Sequence, residues 1–283
     1  MKNILITGSN GFIGKKLCTK LKNDYIIHTL PKNSDLLDPE CFKNFSDVNI
    51  DIVIHLASAT SVVESWKDPA KYYSVNTLGT QKILDFCLLK KASFNYVSSY
   101  MYGHPSIIPT PESEPSKPTN PYAHSKFLAE EICKFYAANF KLSVNVIRPF
   151  NIYGPFQDKS FLIPHIIDQI LNSNQIEVMD LYPKRDFLYI EDAIEAISKV
   201  INLKNEFEIY NIGYGKSYSV QEIIDIAQEV FKTNKPIFSK NVIRPNELSD
   251  VIADISKISN TTHWRPKFSI EDGLKKIYSE INA

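Results

Sequence analysis

No apolar run in this chain of 283 residues approaches the length, roughly 20 residues, that a membrane-crossing helix needs, so no membrane partner is expected. An excess of one charge is also missing: 32 basic residues stand against 32 acidic ones. Without a basic field or stripe, no nucleic-acid partner is expected. Cysteine is scarce and scattered. Cys18, Cys41, Cys87 and Cys133 show no C-x-x-C spacing, which argues against a disulfide or zinc framework and suits a reduced compartment. The histidines share no ligand spacing, so no metal site is expected. The N-terminus enters the strand-like run Asn3-Ile4-Leu5-Ile6-Thr7 at once, so a cytoplasmic protein without a secretion signal is expected. Neither an internal repeat nor a low-complexity tract is visible.

What is present organises around Pro121-Tyr122-Ala123-His124-Ser125-Lys126. Pro121 suits a first helical turn, and Phe127, Leu128, Ile132, Phe135 and Tyr136 supply an apolar stripe, so a helix is predicted here. Tyr122 and Lys126 stand four residues apart and share a helix face. A phenol holds its proton up to a pKa of about 10. A nearby ammonium favours the phenolate and is expected to draw Tyr122 towards neutrality, making the pair a proton donor and acceptor. An ordinary amphipathic helix carries the same spacing by chance, so the rest of the chain has to decide.

Lys2 to Thr7 reads as a buried strand. It opens into Gly8-Ser9-Asn10-Gly11-Phe12-Ile13-Gly14 and then a helix. A strand, a glycine loop and a helix give backbone N–H groups close access to a pyrophosphate, although such a turn also serves plain packing. The next strand, Tyr25 to Leu30, ends in Pro31-Lys32-Asn33 with no acid for ribose hydroxyls. Lys32 is either a partner for a 2′-phosphate, favouring NADP(H) over NAD(H), or a solvated loop lysine. Asp35, next to Leu36, is a candidate acceptor for an adenine amino group. Ile50 to Leu56 is a continuous apolar strand running into Ala57-Ser58-Ala59-Thr60, whose small residues let a flat ring lie close. Ser61 to Asp68 reads as a polar loop. A helix follows from about Pro69 to Lys90, with Asn76 facing either solvent or the strand ends. Phe94 to Val97 is a strand with Ser98, Ser99 and Tyr100 at its carboxyl end, where ligands bind in open α/β sheets. A proline-rich loop leads to Tyr122, and Val144 to Arg148 forms another strand. Beyond it the βα rhythm breaks into helices at 162–171, 191–203, 220–231 and 270–281 with short strands between them.

Taken together, Thr7-Gly8-x-x-Gly11-x-x-Gly14, His55-Leu56-Ala57, Asn76 with Gly79-Thr80, Ser98-Ser99, Tyr122-x-x-x-Lys126, Arg148-Pro149, Tyr153-Gly154-Pro155 and Arg185-Asp186-Phe187 form one ordered set. The set resembles the extended short-chain dehydrogenase/reductase family, the NAD(P)-dependent epimerases, dehydratases and reductases of nucleotide sugars, over essentially the whole chain. The resemblance implies an α/β fold. A Rossmann-type doubly wound parallel sheet (1–157) would bind NAD(P), and a smaller C-terminal α/β lobe (158–283) would mainly bind the nucleotide sugar. It also implies a homodimer through two helices, one of them carrying Tyr122. Carried over to this sequence, Ser98, Tyr122 and Lys126 match the catalytic triad. Gly8, Asn10, Gly11, Phe12, Ile13, Gly14, Lys32, Asp35, Leu36, Leu56, Ala57, Ser58 and Asn76 would line the cofactor, together with Tyr122 and Lys126. Ser99, Tyr100, Asn151, Arg185 and Arg244 would face the substrate, the two arginines clamping its pyrophosphate.

Departures from the family narrow the reaction. The dehydratases place Asp-Glu after the catalytic hydroxyl, where this chain has Ser99 and Tyr100. The epimerising reductases carry a histidine before a Val-Ile-Pro segment, where this chain has Phe161-Leu162-Ile163-Pro164. What remains is an NADP(H)-dependent reductase acting on the C4 keto group of a nucleotide-linked 4-keto-6-deoxyhexose, or a C4 epimerase with tightly held NAD. A non-catalytic dinucleotide-binding regulator is a third reading, disfavoured because Ser98, Tyr122 and Lys126 are all kept.

Overall fold

The computed structural model describes residues 1–32, 34–242 and 247–282, and the chain divides into two units. The first comprises Met1–Gly103, Pro115–Pro149 and Ile194–Tyr210. It is built from β1 (Lys2–Thr7), α1 (Phe12–Leu21), β2 (Tyr25–Thr29), β3 (Ile52–His55), α2 (Val62–Lys67), α3 (Pro69–Tyr72), α4 (Gly79–Lys90), β4 (Ser93–Val97), α5 (Pro121–Phe140), β5 (Val144–Pro149) and most of β9 (Phe207–Ile212). The sheet order is β2-β1-β3-β4-β5-β9, with parallel pairing from β2 through β5. Every residue of β3 and β5 is buried, including the polar His55, Asn145 and Arg148 within otherwise apolar runs. Leu5, Val53, Phe94 and Val144 pack with Ile83, Leu84 and Cys87 of α4 and Ala129, Cys133 and Ala137 of α5. Each large aliphatic side chain buried there contributes about 1.5–3 kcal/mol. From β1 the chain adds β2 on one side and β3 on the other. The crevice above their carboxyl ends is therefore the switch point at which Rossmann sheets take ligands.

Two sequence expectations are corrected here. The stretch from Ser61 to Asp68 is not a loop, because Ser61 caps α2 by accepting from the Glu64 amide at 3.2 Å. Serine followed three residues later by glutamate is a helix-start signal that its polar composition masked. The stripe on α5 also differs. Its buried face is Ala123, Ser125, Lys126, Ala129, Glu130, Cys133 and Ala137, while Phe135 is 58% exposed. Small residues let α5 lie close on the strands, and the large apolar ones face outward or sit at the margin.

The second unit comprises His104–Glu114, Phe150–Ala193 and Asn211–Ala283. Its sheets are β10-β8-β6 (Ser217–Ser219, Lys184–Tyr189, Asn151–Tyr153) and the pair β7 (Ile176–Val178) with β11 (Ile237–Ser239). Around them run α6 (Leu162–Asn172), α8 (Val220–Phe231), α9 (Ser256–Thr262) and α10 (Ile270–Ile281). α7 (Ile190–Val200) begins in this unit and ends in the first. Capping boxes at Ser219/Glu222 and Ser269/Asp272 set the starts of α8 and α10. Among the described residues, no helix is long and apolar enough to cross a membrane and no group of His, Cys, Asp or Glu is placed to hold a metal.

Candidate active site

The glycine loop is packed against the end of β3. Gly8 sits at φ +71°, and a Cβ there would lie 2.6 Å from the Ala57 nitrogen. Only glycine tolerates both the left-handed conformation and that approach. A Cβ on Gly14 would run into the Gly8 carbonyl, while one on Gly11 would meet only Gly8 O, at 3.2 Å. The outer side of Gly11 is thus open. Gly11 caps α1 without a side-chain bond, and the first turn has no acid. Asn10, Phe12 and Ile13 share this loop and helix start. An uncapped helix N-terminus beside bare backbone fits a dinucleotide pyrophosphate.

The loop after β3 is fastened by two buried clusters. Thr7 Oγ1 lies 2.6 Å from His55 Nδ1 and accepts from the Ala57 amide at 3.2 Å. His55 Nε2 meets Thr80 Oγ1 at 3.1 Å. Burial and the nearby Lys126 charge pull His55 down to about 3, so it is neutral at working pH. Asn76 is 1% exposed and sits in a π-helical turn, Tyr73–Leu78, between α3 and α4. Its carbonyl oxygen accepts from the Ala59 amide at 2.8 Å, and its amide donates to Ala59 O at 3.0 Å and Ser125 Oγ at 2.9 Å. Both donor hydrogens are thereby used inside the protein, so Asn76 clamps the Ala57–Ala59 loop to α5. Leu56 N bonds Thr7 O at 3.2 Å, and Ser58 Oγ donates to Ala59 O. Lys32 is exposed in the turn after β2. Asp35 spends one oxygen on the Leu37 amide, and Leu36 is buried against Gly79.

The candidate reacting groups come from the segment just after β4 and from α5. Ser98 is 5% exposed, and its Oγ is buried without a hydrogen-bond partner in the protein. An unsatisfied buried hydroxyl is costly, and it marks a place where a ligand oxygen fits. Asn120 caps α5 by accepting from the Ala123 amide at 2.8 Å, which places Tyr122 in the first turn. Lys126, one turn on, is 2% exposed. Its Nζ donates to Val97 O at 2.8 Å and lies 4.3 Å from the centre of the Tyr96 ring.

The electrostatics differ from the sequence expectation. Burial, with the neighbouring Tyr100 and Tyr72, raises Tyr122 above the usual tyrosine value, while a hydrogen bond with Ser99 opposes the rise. Burial pulls Lys126 down to about 7, with Glu130 opposing. Tyr122 is therefore a protonated phenol at neutral pH rather than one made acidic by its lysine, whose head is turned to Val97 O and Tyr96.

Glu130 continues the stripe one turn further, and sequence reasoning gave it no role. Its carboxylate takes Arg148 Nε at 3.1 Å and the terminal guanidinium nitrogen at 2.6 Å, with both side chains about 95% buried. Arg148 also donates to the Tyr102 hydroxyl at 2.9 Å. An acid continuing the i, i+4 series, and an arginine inside an otherwise apolar strand, were the available signals.

In the second unit, Asn151 donates to the Asp186 carbonyl at 3.0 Å. Arg185 bonds the Glu247 carboxylate and the carbonyls of Lys184 and Leu248. Asp186, fully buried, accepts from the Tyr214, Gly215 and Ala253 amides and is nevertheless pushed up to about 6 by burial. Arg244 lies outside the described residues.

The sheet, the backbone cradle and the set of buried Ser98 and Lys126 with half-buried Tyr122 fit a nicotinamide dinucleotide-dependent enzyme of the kind that reduces or epimerises nucleotide sugars. Residues 4–213 match the model of the NAD dependent epimerase/dehydratase family. The GDP-6-deoxy-D-mannose reductase of Pseudomonas aeruginosa is 31% identical over 99% of this chain and 97% of its own. A putative UDP-glucose 4-epimerase of Methanocaldococcus jannaschii is also 31% identical, over 97% and 96%. A solved structure of RMD from Pseudomonas aeruginosa with NADPH superposes with a TM-score of 0.91 at 30% identity, covering 99% of this chain and 98% of the other. This chain belongs to the NAD-dependent epimerase/dehydratase family, within the extended short-chain dehydrogenases/reductases.

Proposed function

We propose that this protein reduces the C4 keto group of a nucleotide-linked 4-keto-6-deoxyhexose with NADPH. The observation that carries this reading is the end of β2, where Lys32 follows and no acid stands for ribose hydroxyls, and the raised Tyr122 phenol agrees with it. A phenol kept protonated by burial suits a step in which an oxygen gains a proton, whereas a reaction that starts by oxidising an alcohol needs the phenolate. Lys32 after β2, with no acid at Thr29, Leu30 or Pro31, supports NADP(H) over NAD(H). Ser99 and Tyr100, in place of carboxylates, argue against a dehydratase.

When bound in the Gly8–Gly14 cradle, the cofactor supplies the hydride. Ser98 Oγ donates a hydrogen bond to the carbonyl oxygen as it gains charge. Tyr122 gives that oxygen its proton and regains one from solvent. Lys126 holds the ribose, and its charge steadies the transient phenolate. Gly8, Gly11, Gly14 and their neighbours Asn10, Phe12 and Ile13 hold the pyrophosphate. Leu36, Asp35 and Lys32 face the adenosine, while Leu56, Ala57 and Ser58 flank the ring and Asn76 fixes their loop. Ser99, Tyr100 and Asn151 contact the sugar, and Arg185 with Arg244 binds its diphosphate. The exposed Phe135 on α5, with Leu78 at the start of α4 and Leu89 in its last turn, supports a homodimer through these helices, which sedimentation equilibrium checks.

A C4 epimerase with tightly held NAD is the second reading, favoured by the similarity to the Methanocaldococcus protein. The test incubates the purified protein with NADPH or NADH and a panel of nucleotide-linked 4-keto-6-deoxy sugars. Stoichiometric loss of reduced-nicotinamide absorbance is expected. Product formation without net cofactor consumption, with NAD retained through purification, would establish the epimerase instead.

A further inference from the structure

Tyr122, Lys126 and Glu130 lie at successive turns of α5. Two of the three heads are accounted for by the proposed chemistry, and the third is not. Glu130 is 3% exposed and Lys126 2%. Burial of an ammonium favours its neutral form unless a counter-charge stands nearby. The Val97 carbonyl and the Tyr96 ring offer Lys126 only dipoles. The other titratable groups facing it cannot supply a negative charge near neutrality. Burial holds Tyr96 on β4 and Cys133 on α5 well above their usual values and keeps His55 on β3 neutral, and Tyr122 keeps its proton. Glu130 alone remains. It is gripped by three contacts from Arg148, which Tyr102 in turn anchors. We propose that Glu130, pinned by Arg148, is the positioning residue that favours the cationic form of Lys126 against its burial.

The row then runs plus, minus, plus, from Lys126 through Glu130 to Arg148. The single carboxylate charge is shared between two buried cations, with Arg148 in direct contact and Lys126 one turn away. This role deepens the function proposed above, because a charged Lys126 matters most when Tyr122 has just given up its proton. The charge itself does not depend on which sugar is reduced. Tyr102 and Ser98 belong to the same segment after β4, so Arg148 also fixes the loop that carries the unsatisfied hydroxyl.

The test labels lysine Cε with carbon-13 in the full chain and follows the Lys126 resonance, assigned by its loss in Lys126→Met, against pH. Glu130→Gln alone leaves Arg148 buried without its partner and risks unfolding. The deciding variant is therefore Glu130→Gln/Arg148→Met, which removes both charges at similar volume. Its Lys126 midpoint is expected to fall by about 1 pH unit or more below that of the wild type. Arg148→Met alone, which keeps the carboxylate, is expected to leave the midpoint unchanged or raise it. A midpoint in the double variant equal to the wild type overturns the inference and leaves the pair a purely structural one. Turnover gives a second readout: kcat of the double variant drops by about tenfold at pH 8 and recovers towards pH 6, with KM steady. An equal loss at every pH also overturns the inference. Absence of any wild-type turnover would count against the proposed function, while the resonance midpoints still decide the role of Glu130.

Discussion

The two units hold their polar groups in different ways. In the first, Lys126 and Asn76 are tied to main-chain atoms, Val97 O for one and the Ala59 amide and carbonyl for the other. Strand ends and a capped helix set those atoms, so both side chains have little freedom. In the second, the Arg185 guanidinium is held by the side chain of Glu247 and by loop carbonyls, and Asp186 gathers three loop amides around one carboxylate. Under the proposed function the contrast separates chemistry from recognition. A hydride and a proton need fixed distances, whereas the proposed diphosphate would be caught by a side chain that exchanges Glu247 for it.

Asp186 tests the second unit hardest. Its folded-state value of about 6 lies above the ordinary 3.8, so the native state binds more protons than the unfolded one between these values. Its contribution to stability is full below about pH 4 and is lost as pH rises through 6, the reverse of a salt-bridged carboxylate. The shift of about two units corresponds to about 3 kcal/mol. Urea unfolding of the wild type and Asp186→Asn from pH 4 to 6.5 should show a gap that narrows by that order as pH rises. A constant gap would mean that the three amides fully offset its burial.

A smaller effect is expected for Arg185→Ala. Removing a charge-assisted grip on the substrate raises KM by about tenfold while kcat stays within about threefold. Steady-state kinetics with the best substrate of the panel reads both constants. A collapse of kcat at unchanged KM would erase the division between rigid chemistry and exchangeable recognition.

The same division explains what could be read in advance. The strands of the first unit are short, largely apolar runs and its glycine loop directly follows β1, so the sheet and the Gly8–Gly14 cradle were legible from local pattern. α8 and α10 were legible as helical stretches at 220–231 and 270–281, and their capping boxes show why they start there. What escaped depends on contacts distant in sequence. The Ser61 cap was hidden in a polar stretch. The outward turn of Phe135 depends on how closely α5 approaches the strands. The rise of Tyr122 above the usual tyrosine value depends on its burial beside Tyr100 and Tyr72, which the spacing to Lys126 did not show. Glu130 showed no function until β5 placed Arg148 beside it. Burial sets the titration of this site, and burial is a property of the assembled fold.

The central claim is that the Tyr122 phenol supplies the proton that completes carbonyl reduction. Single-turnover oxidation of bound NADPH by a nucleotide-linked 4-keto sugar, compared between the wild type and Tyr122→Phe, tests it most directly. The account predicts a fall of roughly 10³-fold with cofactor affinity unchanged. A Tyr122→Phe protein that reduces the sugar at the wild-type rate would contradict it.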